Sequence, residues 1–212
     1  MLYETRILVK VEWMGIIYRA IGRTALKSYR LRGLHRMKEL KEHKAYQMLE
    51  KNYKECLLDY VILLSDRTYL GQDTHKEAVI EAFHILNQRK RVANHLGFHC
   101  TIEEEKMSAI KCDISEFLKL PTDSYYDTKL GNYRSYWSAF LEPPYDVSYV
   151  TDDFKKLNYV LFPFLDSLEI YQWNDDFSNY FDDGKEWWGT GCWSAYDKIT
   201  NIFVVIGASL SD

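Results

Sequence analysis

Apolar positions in the first half of the chain recur every three or four residues, whereas those near its end recur every two or run on unbroken. The clearest stripe is Tyr46, Leu49, Tyr53, Cys56, Tyr60 and Leu63, with Lys and Glu between, and it predicts a helix over residues 44–65 that stops at Ser65–Arg67 and Gly71. A second helix is expected from His75 to about Asn94 behind Asp73 or Thr74 as N-cap, burying Val79, Ile80, Phe83 and Leu86. Upstream, Leu26, Arg30, Gly33, Met37 and Leu40 keep the same spacing. Residues 6–22 read either as a strand over ILVKVEW with a turn or, preferably, as an amphipathic helix carrying Val9, Trp13, Ile16, Ile17 and Ala20. Antiparallel helices joined by short loops are the simplest way to bury such stripes.

Beyond Gly97 the pattern changes. Thr101 followed by Glu104 has the form of a capping box and predicts a short helix to about Lys119, ahead of Pro121. Residues 121–150, rich in Tyr, Asp, Gly and Pro, read as irregular. Thr151, Asp152 and Asp153 open another helix, which Pro163 ends. Strands are expected at 168–173, at 186–197 with glycines for a bulge or close packing, and at 201–209, with residues 197–201 turning a hairpin between the last two. The predicted fold class is α+β: a helical region over 1–97, then a domain over 98–212 with short helices and a mainly antiparallel sheet.

Composition supports the same boundary. The chain has 212 residues and a net charge of −4, made of +7 over residues 1–98 and −11 over 99–212. All six histidines lie at or before His99, and five of the six tryptophans lie after it. Cys56, Cys100, Cys112 and Cys192 lack paired CxxC spacing, so free thiols in a reducing, cytoplasmic setting are expected. Lys10, Glu12 and Arg19 interrupt the first apolar residues, and no apolar run is long enough for a membrane helix; neither a signal peptide nor a membrane association is expected.

The most unusual stretch is WNDDFSNYFDDGKEWWGTG, residues 173–191, which crowds aromatic rings, carboxylates and glycines together. Trp173, Asp175, Asp176, Tyr180, Asp182, Asp183, Glu186, Trp187 and Trp188 are its candidate binding residues, with large rings as anchors and acids to steer a basic partner. The acid spacing does not fit an EF-hand, and Asp and Asn are ordinary turn residues. Glu186 stands directly before two indoles, and apolar surroundings would raise its affinity for a proton. No catalytic residue is assigned; Glu186 is the acid/base of the alternative reading, a small-molecule hydrolase or carbohydrate-binding domain with Trp173, Trp187, Trp188 and Trp193 around a pocket.

Other chemistry is weaker. His95, His99, Cys100 and Cys112 hold potential zinc ligands, but Gly97 interrupts a continuous helix there and spacing alone implies no geometry, so no metal or cofactor is assigned. Cys192 has no base beside it in sequence and reads as a buried thiol. The basic run from Arg19 to Lys44 spreads over several helical faces and is broken by Glu39 and Glu42, so a solvated surface is favoured over a nucleic-acid site. P-loop, GxGxxG, GxSxG and HExxH patterns do not occur.

WSAFLEPPY at 137–145, DFKKLNYVLFP at 153–163, WNDDFSNYFDDGKEWWG at 173–189 and VVIGASLSD at 204–212 resemble a C-terminal segment of an uncharacterised bacterial protein family. The likeness covers about the last third of the chain and implies no activity, so it assigns no residue a role. The expected function is therefore non-enzymatic protein binding, in its most concrete form an immunity-type protein that neutralises a basic toxin.

Overall fold

The computed structural model describes residues 37–89, 99–119, 135–143 and 149–209. The readings placed on residues 6–22, on most of 24–40, on residues 90–94 and on His95 lie outside these. Helices pack on a six-stranded, wholly antiparallel sheet, so the fold is α+β. In chain order the elements are β1 (Lys38–Glu39), α1 (Lys44–Asn52), β2 (Leu58–Leu64), α2 (Gln72–Gln88), β3 (Ala109–Cys112), α3 (Ile114–Phe117), α4 (Tyr136–Leu141), α5 (Thr151–Leu161), β4 (Leu168–Trp173), α6 (Asp182–Glu186), β5 (Gly191–Asp197) and β6 (Ile202–Ala208). The strand order is β1-β2-β6-β5-β4-β3, so one sheet joins residues from both sides of the compositional break at Gly97.

The helix expected over 44–65 is corrected. It ends at Asn52, where Tyr53 caps it, and the second half of the stripe is β2, paired with β6 from Leu58↔Ala208 to Leu64↔Ile202. LDYVILL is a continuous apolar run with β-branched Val61 and Ile62, and both of its faces meet a core, which is the setting of a buried strand. The helix expected over 101–119 is corrected too. Thr101 N–H donates to Asn179 and Glu103 N–H to the Phe177 carbonyl, which leaves only a 3₁₀ turn at Glu104–Lys106 before β3 pairs with β4. Helix α2 begins at Gln72 behind Gly71, and Thr74 accepts the Leu70 N–H instead of capping the helix. It ends at Gln88, and it buries Val79, Phe83 and Leu86.

Within the stretch read as irregular, residues 136–141 form helix α4 behind the Ser135 cap, whereas several other expectations hold. Helix α5 carries Asp152 and Asp153 in its first turn, and the Asp153 carboxylate accepts the Val150 N–H at 3.2 Å. Strands β4 and β6 occupy the predicted segments, and Asp197 organises the hairpin by accepting from Ile199 N–H and the Thr200 hydroxyl. Strand β5 starts at Gly191, later than expected, because residues 182–186 turn as α6.

Alternation along the strands divides the core into two layers. Leu58, Tyr60, Ile62, Ile170, Trp193, Val204 and Ile206 face α1, α4 and α5. Val61, Leu63, Tyr171, Trp173, Cys192, Phe203 and Val205 face α2. Each layer holds a buried polar chain. On the first, Tyr60 and Tyr136 hydroxyls meet at 3.2 Å and Tyr136 donates to Asn158 at 2.9 Å. On the second, the His75 ring bridges Ser194 Oγ at 2.8 Å and the Tyr69 hydroxyl at 3.0 Å, while Trp173 Nε1–H donates to Ser194 at 2.8 Å.

Candidate binding surface

The segment after β4 is pinned before it reaches the surface. Asn174 exchanges backbone and side-chain bonds with Ser108 and donates to the Lys106 carbonyl, tying β4 to the turn before β3. Phe177 and Phe181 are fully buried against Phe83 of α2, and the Tyr180 hydroxyl donates to Asp59 of β2 at 2.8 Å. Gly189 takes a φ of 111°, a left-handed conformation that costs glycine little, and a side chain at Gly191 would run into the Trp193 ring. These anchors make residues 173–191 an ordered loop held over one end of the sheet.

Within it the candidate residues separate. Trp173 is 1% exposed and belongs to the α2-side core. Asp175 is buried, accepting the Thr190 hydroxyl at 2.6 Å with Lys185 Nζ at 3.9 Å, so it serves the loop. Trp188 is buried on the opposite layer, its Nε1–H donating to the Glu142 carbonyl at 3.2 Å. Tyr180 is half-buried. What remains outside is Asp176, Asp182, Asp183, Glu186 and Trp187, the last 45% exposed. Lys185 lies among the acids, 3.2 Å from Asp176 and 3.9 Å from Asp182.

The four indoles of the pocket reading do not converge. Trp173 packs on one face of the sheet, Trp188 and Trp193 on the other, and Trp187 faces solvent. Glu186 is exposed and is not enclosed by the neighbouring rings. Cys192 is fully buried, and burial pushes its thiol far up from its ordinary range, with the Asp175 carboxylate adding to the shift. Of the zinc candidates, Cys100 is buried and bonded through its backbone to the Asn87 side chain, Cys112 lies on β3 near Gln172, and His99 is exposed.

Reading the sequence missed Glu103, Glu104 and Glu105 as part of this surface. All three are exposed, and the bonds from Thr101 and Glu103 to residues 177–179 bring their turn beside the loop. Lys106 senses the company: its ammonium is held above its ordinary range by the hydrogen bond it donates to the Glu103 carboxylate and by the charges of Glu103, Glu105 and Asp176. The run of three glutamates is visible in the sequence, but its partner in space is set by tertiary contacts. No known family, curated protein or solved structure matches the chain.

Proposed function

We propose that the chain is a non-enzymatic, cytoplasmic protein-binding protein that holds a basic protein partner on the surface formed by Asp176, Asp182, Asp183, Glu186 and Trp187, flanked by Glu103, Glu104 and Glu105. An immunity-type role against a basic toxin is the concrete form of this reading. The observation that carries it is Trp187: large rings are usually buried, yet this one, directly after the exposed Glu186, is 45% exposed while Trp173, Trp188 and Trp193 are enclosed. An exposed indole supplies apolar contact area, and the exposed acids of the same loop accelerate encounter with a positively charged surface. Four free cysteines, with no disulfide, suit a reducing compartment.

The test is a pull-down from the native host followed by reconstitution with the purified partner. A basic protein should bind the purified chain directly, with Trp187→Ala weakening the complex by about 30-fold, as at an interface hot spot. Combined Asp182→Asn, Asp183→Asn and Glu186→Gln should mainly slow association and flatten its salt dependence. An acidic or neutral partner, or binding indifferent to Trp187→Ala, would overturn the reading.

A further inference from the structure

Helices α1 and α5 pack side by side, in opposite directions, on one face of the sheet. The end of α1 meets the start of α5, where the Tyr53 hydroxyl donates to the Asp153 carbonyl at 3.4 Å. Toward the other end of the pair, Lys44 and Met48 of α1 and Lys155, Lys156, Tyr159 and Val160 of α5 line a shallow groove of about 570 Å³. Its floor is apolar, and Tyr159 is 60% exposed there, although an aromatic ring gains much by burial.

The rim of the groove is cationic. Lys44, Lys155 and Lys156 are all exposed, and among the described residues that line the groove there is no carboxylate. Asp152 and Asp153 stand back toward the start of α5, 3.9 Å from Lys155 and Lys156, in pairs that water and salt screen. Lys44 is the first residue of α1, whose first turn has no acid, so a cation sits at the positive end of that helix. The placement works against the helix and adds to the positive potential over the groove.

The loop after β4 has the opposite features: exposed acids at Asp176, Asp182, Asp183 and Glu186, and the exposed indole of Trp187. Within one molecule the two patches lie toward opposite ends of the sheet. The groove is at the end where β2 finishes and β4 begins, since Leu40 just before α1 bonds to Ile62, and α5 leads through residues 162–167 into Leu168 opposite Asp197. The loop leaves the far end of β4, at Trp173 opposite Cys192, six residues or ~20 Å along the strand.

We propose that the groove receives the acidic loop of a second copy of this chain, with Trp187 laid across Met48, Tyr159 and Val160 and the loop acids facing the three lysines. Charge selects the occupant, because a cationic rim over an apolar floor fits an indole flanked by carboxylates. Donor and acceptor are different patches at opposite ends of the sheet, so the contact is head-to-tail and leaves each copy able to bind again, giving an open row. The inference rests on the loop being a binding surface, as in the reading above, and adds the groove, which that reading does not use. A basic partner competes with the next copy for the loop and disperses the row.

Sedimentation equilibrium of the full chain, from micromolar to millimolar concentration, tests this. At low salt the average mass should rise with concentration past that of two copies, and added salt should lower it. Lys44→Glu combined with Lys155→Glu reverses charge in the groove, and Trp187→Ala removes the anchor; each should weaken association at least ~10-fold. An acid suits the start of a helix, and if the double variant does not melt cooperatively, Tyr159→Ser is the second groove variant. Mixed together, the groove variant and Trp187→Ala should form one-to-one dimers and stop there, since the first keeps only its loop and the second only its groove. Groove variants should still bind the basic partner, so loss of self-association and loss of that partner are separate results. A single-chain mass at every concentration, a native assembly that closes at two copies, or a mixture no heavier than its components would overturn the proposal. Sedimentation with phosphatidylserine vesicles that the groove variant abolishes, without growth in mass, would assign the groove to an anionic membrane and overturn it as well.

Discussion

The two layers of the core are alike in apolar content and differ in what their buried polar chains can do with a proton. The layer under α1, α4 and α5 contains a Tyr60–Tyr136–Asn158 chain, whose tyrosines burial pushes far above their ordinary range, so it keeps one charge state across accessible pH. The layer under α2 contains His75, whose burial pushes the imidazole down to about 3, against the opposing pull of Glu169. Lys111 and Lys198 add to the downward shift. The titratable member of a buried polar chain lies on the α2 face alone, but the other face has its own acid-sensitive group in His43, which caps α1 through Nδ1 and which burial pushes down to about 4.

Four outcomes would break or sharpen this contrast. The largest effects should be equal on the two faces: Phe83→Ala under α2 and Phe140→Ala in the other layer should each cost about 3–5 kcal/mol, because both rings are fully enclosed. Urea melts at pH 7.5 would measure this, and a much smaller loss on either side would show that layer to be loosely packed.

Next comes the pH dependence. His75 is depressed from 6.5 when folded, so its neutral form contributes fully above pH 6.5. As pH falls below that value the unfolded chain takes up a proton that the folded chain refuses, and stability should drop by about 1.4 kcal/mol per pH unit toward pH 3. Glu169 adds to this only at lower pH. Burial raises its affinity for a proton, but bonds from Lys198 and Tyr69 and the charges of Lys198 and Lys111 outweigh it, holding the carboxyl at about 2 against 4.5 unfolded. Its contribution is present above pH 4.5 and is lost as pH falls from there toward 2. His43, pushed down to about 4 by burial, adds a slope of the same sign over the same window, so melts between pH 7.5 and 4.5 should slope in the native chain and lose about half of that slope with His75→Gln. A slope left unchanged by the substitution would place the acid sensitivity elsewhere.

A smaller effect is expected from Tyr136→Phe, which deprives Asn158 and Tyr60 of a buried partner and should cost ~1–3 kcal/mol with no change in pH slope. The smallest is Trp187→Ala. Stability should shift within ~0.5 kcal/mol, since the indole is half exposed on the surface; calorimetry showing a loss above 2 kcal/mol would make Trp187 part of the fold.

What could be read from the sequence follows from how local each signal is. The 197–201 hairpin and α5 carry their own turn and capping residues, so pattern alone located them. The stripe from Tyr46 to Leu63 misled because three- and four-residue spacing runs from α1 into β2 without a break in polarity, and only pairing with β6 separates them. The 101–119 segment was misread because bonds to residues 177–179 outcompete its capping residues. At the candidate surface the sequence showed the concentration of rings and acids. It did not show which tryptophan faces out, because burial there depends on strands and helices brought in from elsewhere.

The position of β6 bears on the order in which the molecule can assemble. It lies between β2 and β5, yet it follows every other strand among the described residues, and Leu58 of β2 must wait for Ala208 of β6. The β5–β6 hairpin can form by itself, but until β6 exists β2 has no inner neighbour and its apolar residues stay unprotected. Non-local pairing of this kind slows folding, and it leaves a continuous hydrophobic strand exposed for the longest time during synthesis. Chaperone engagement at LDYVILL, before the last strand emerges, is the corresponding vulnerability.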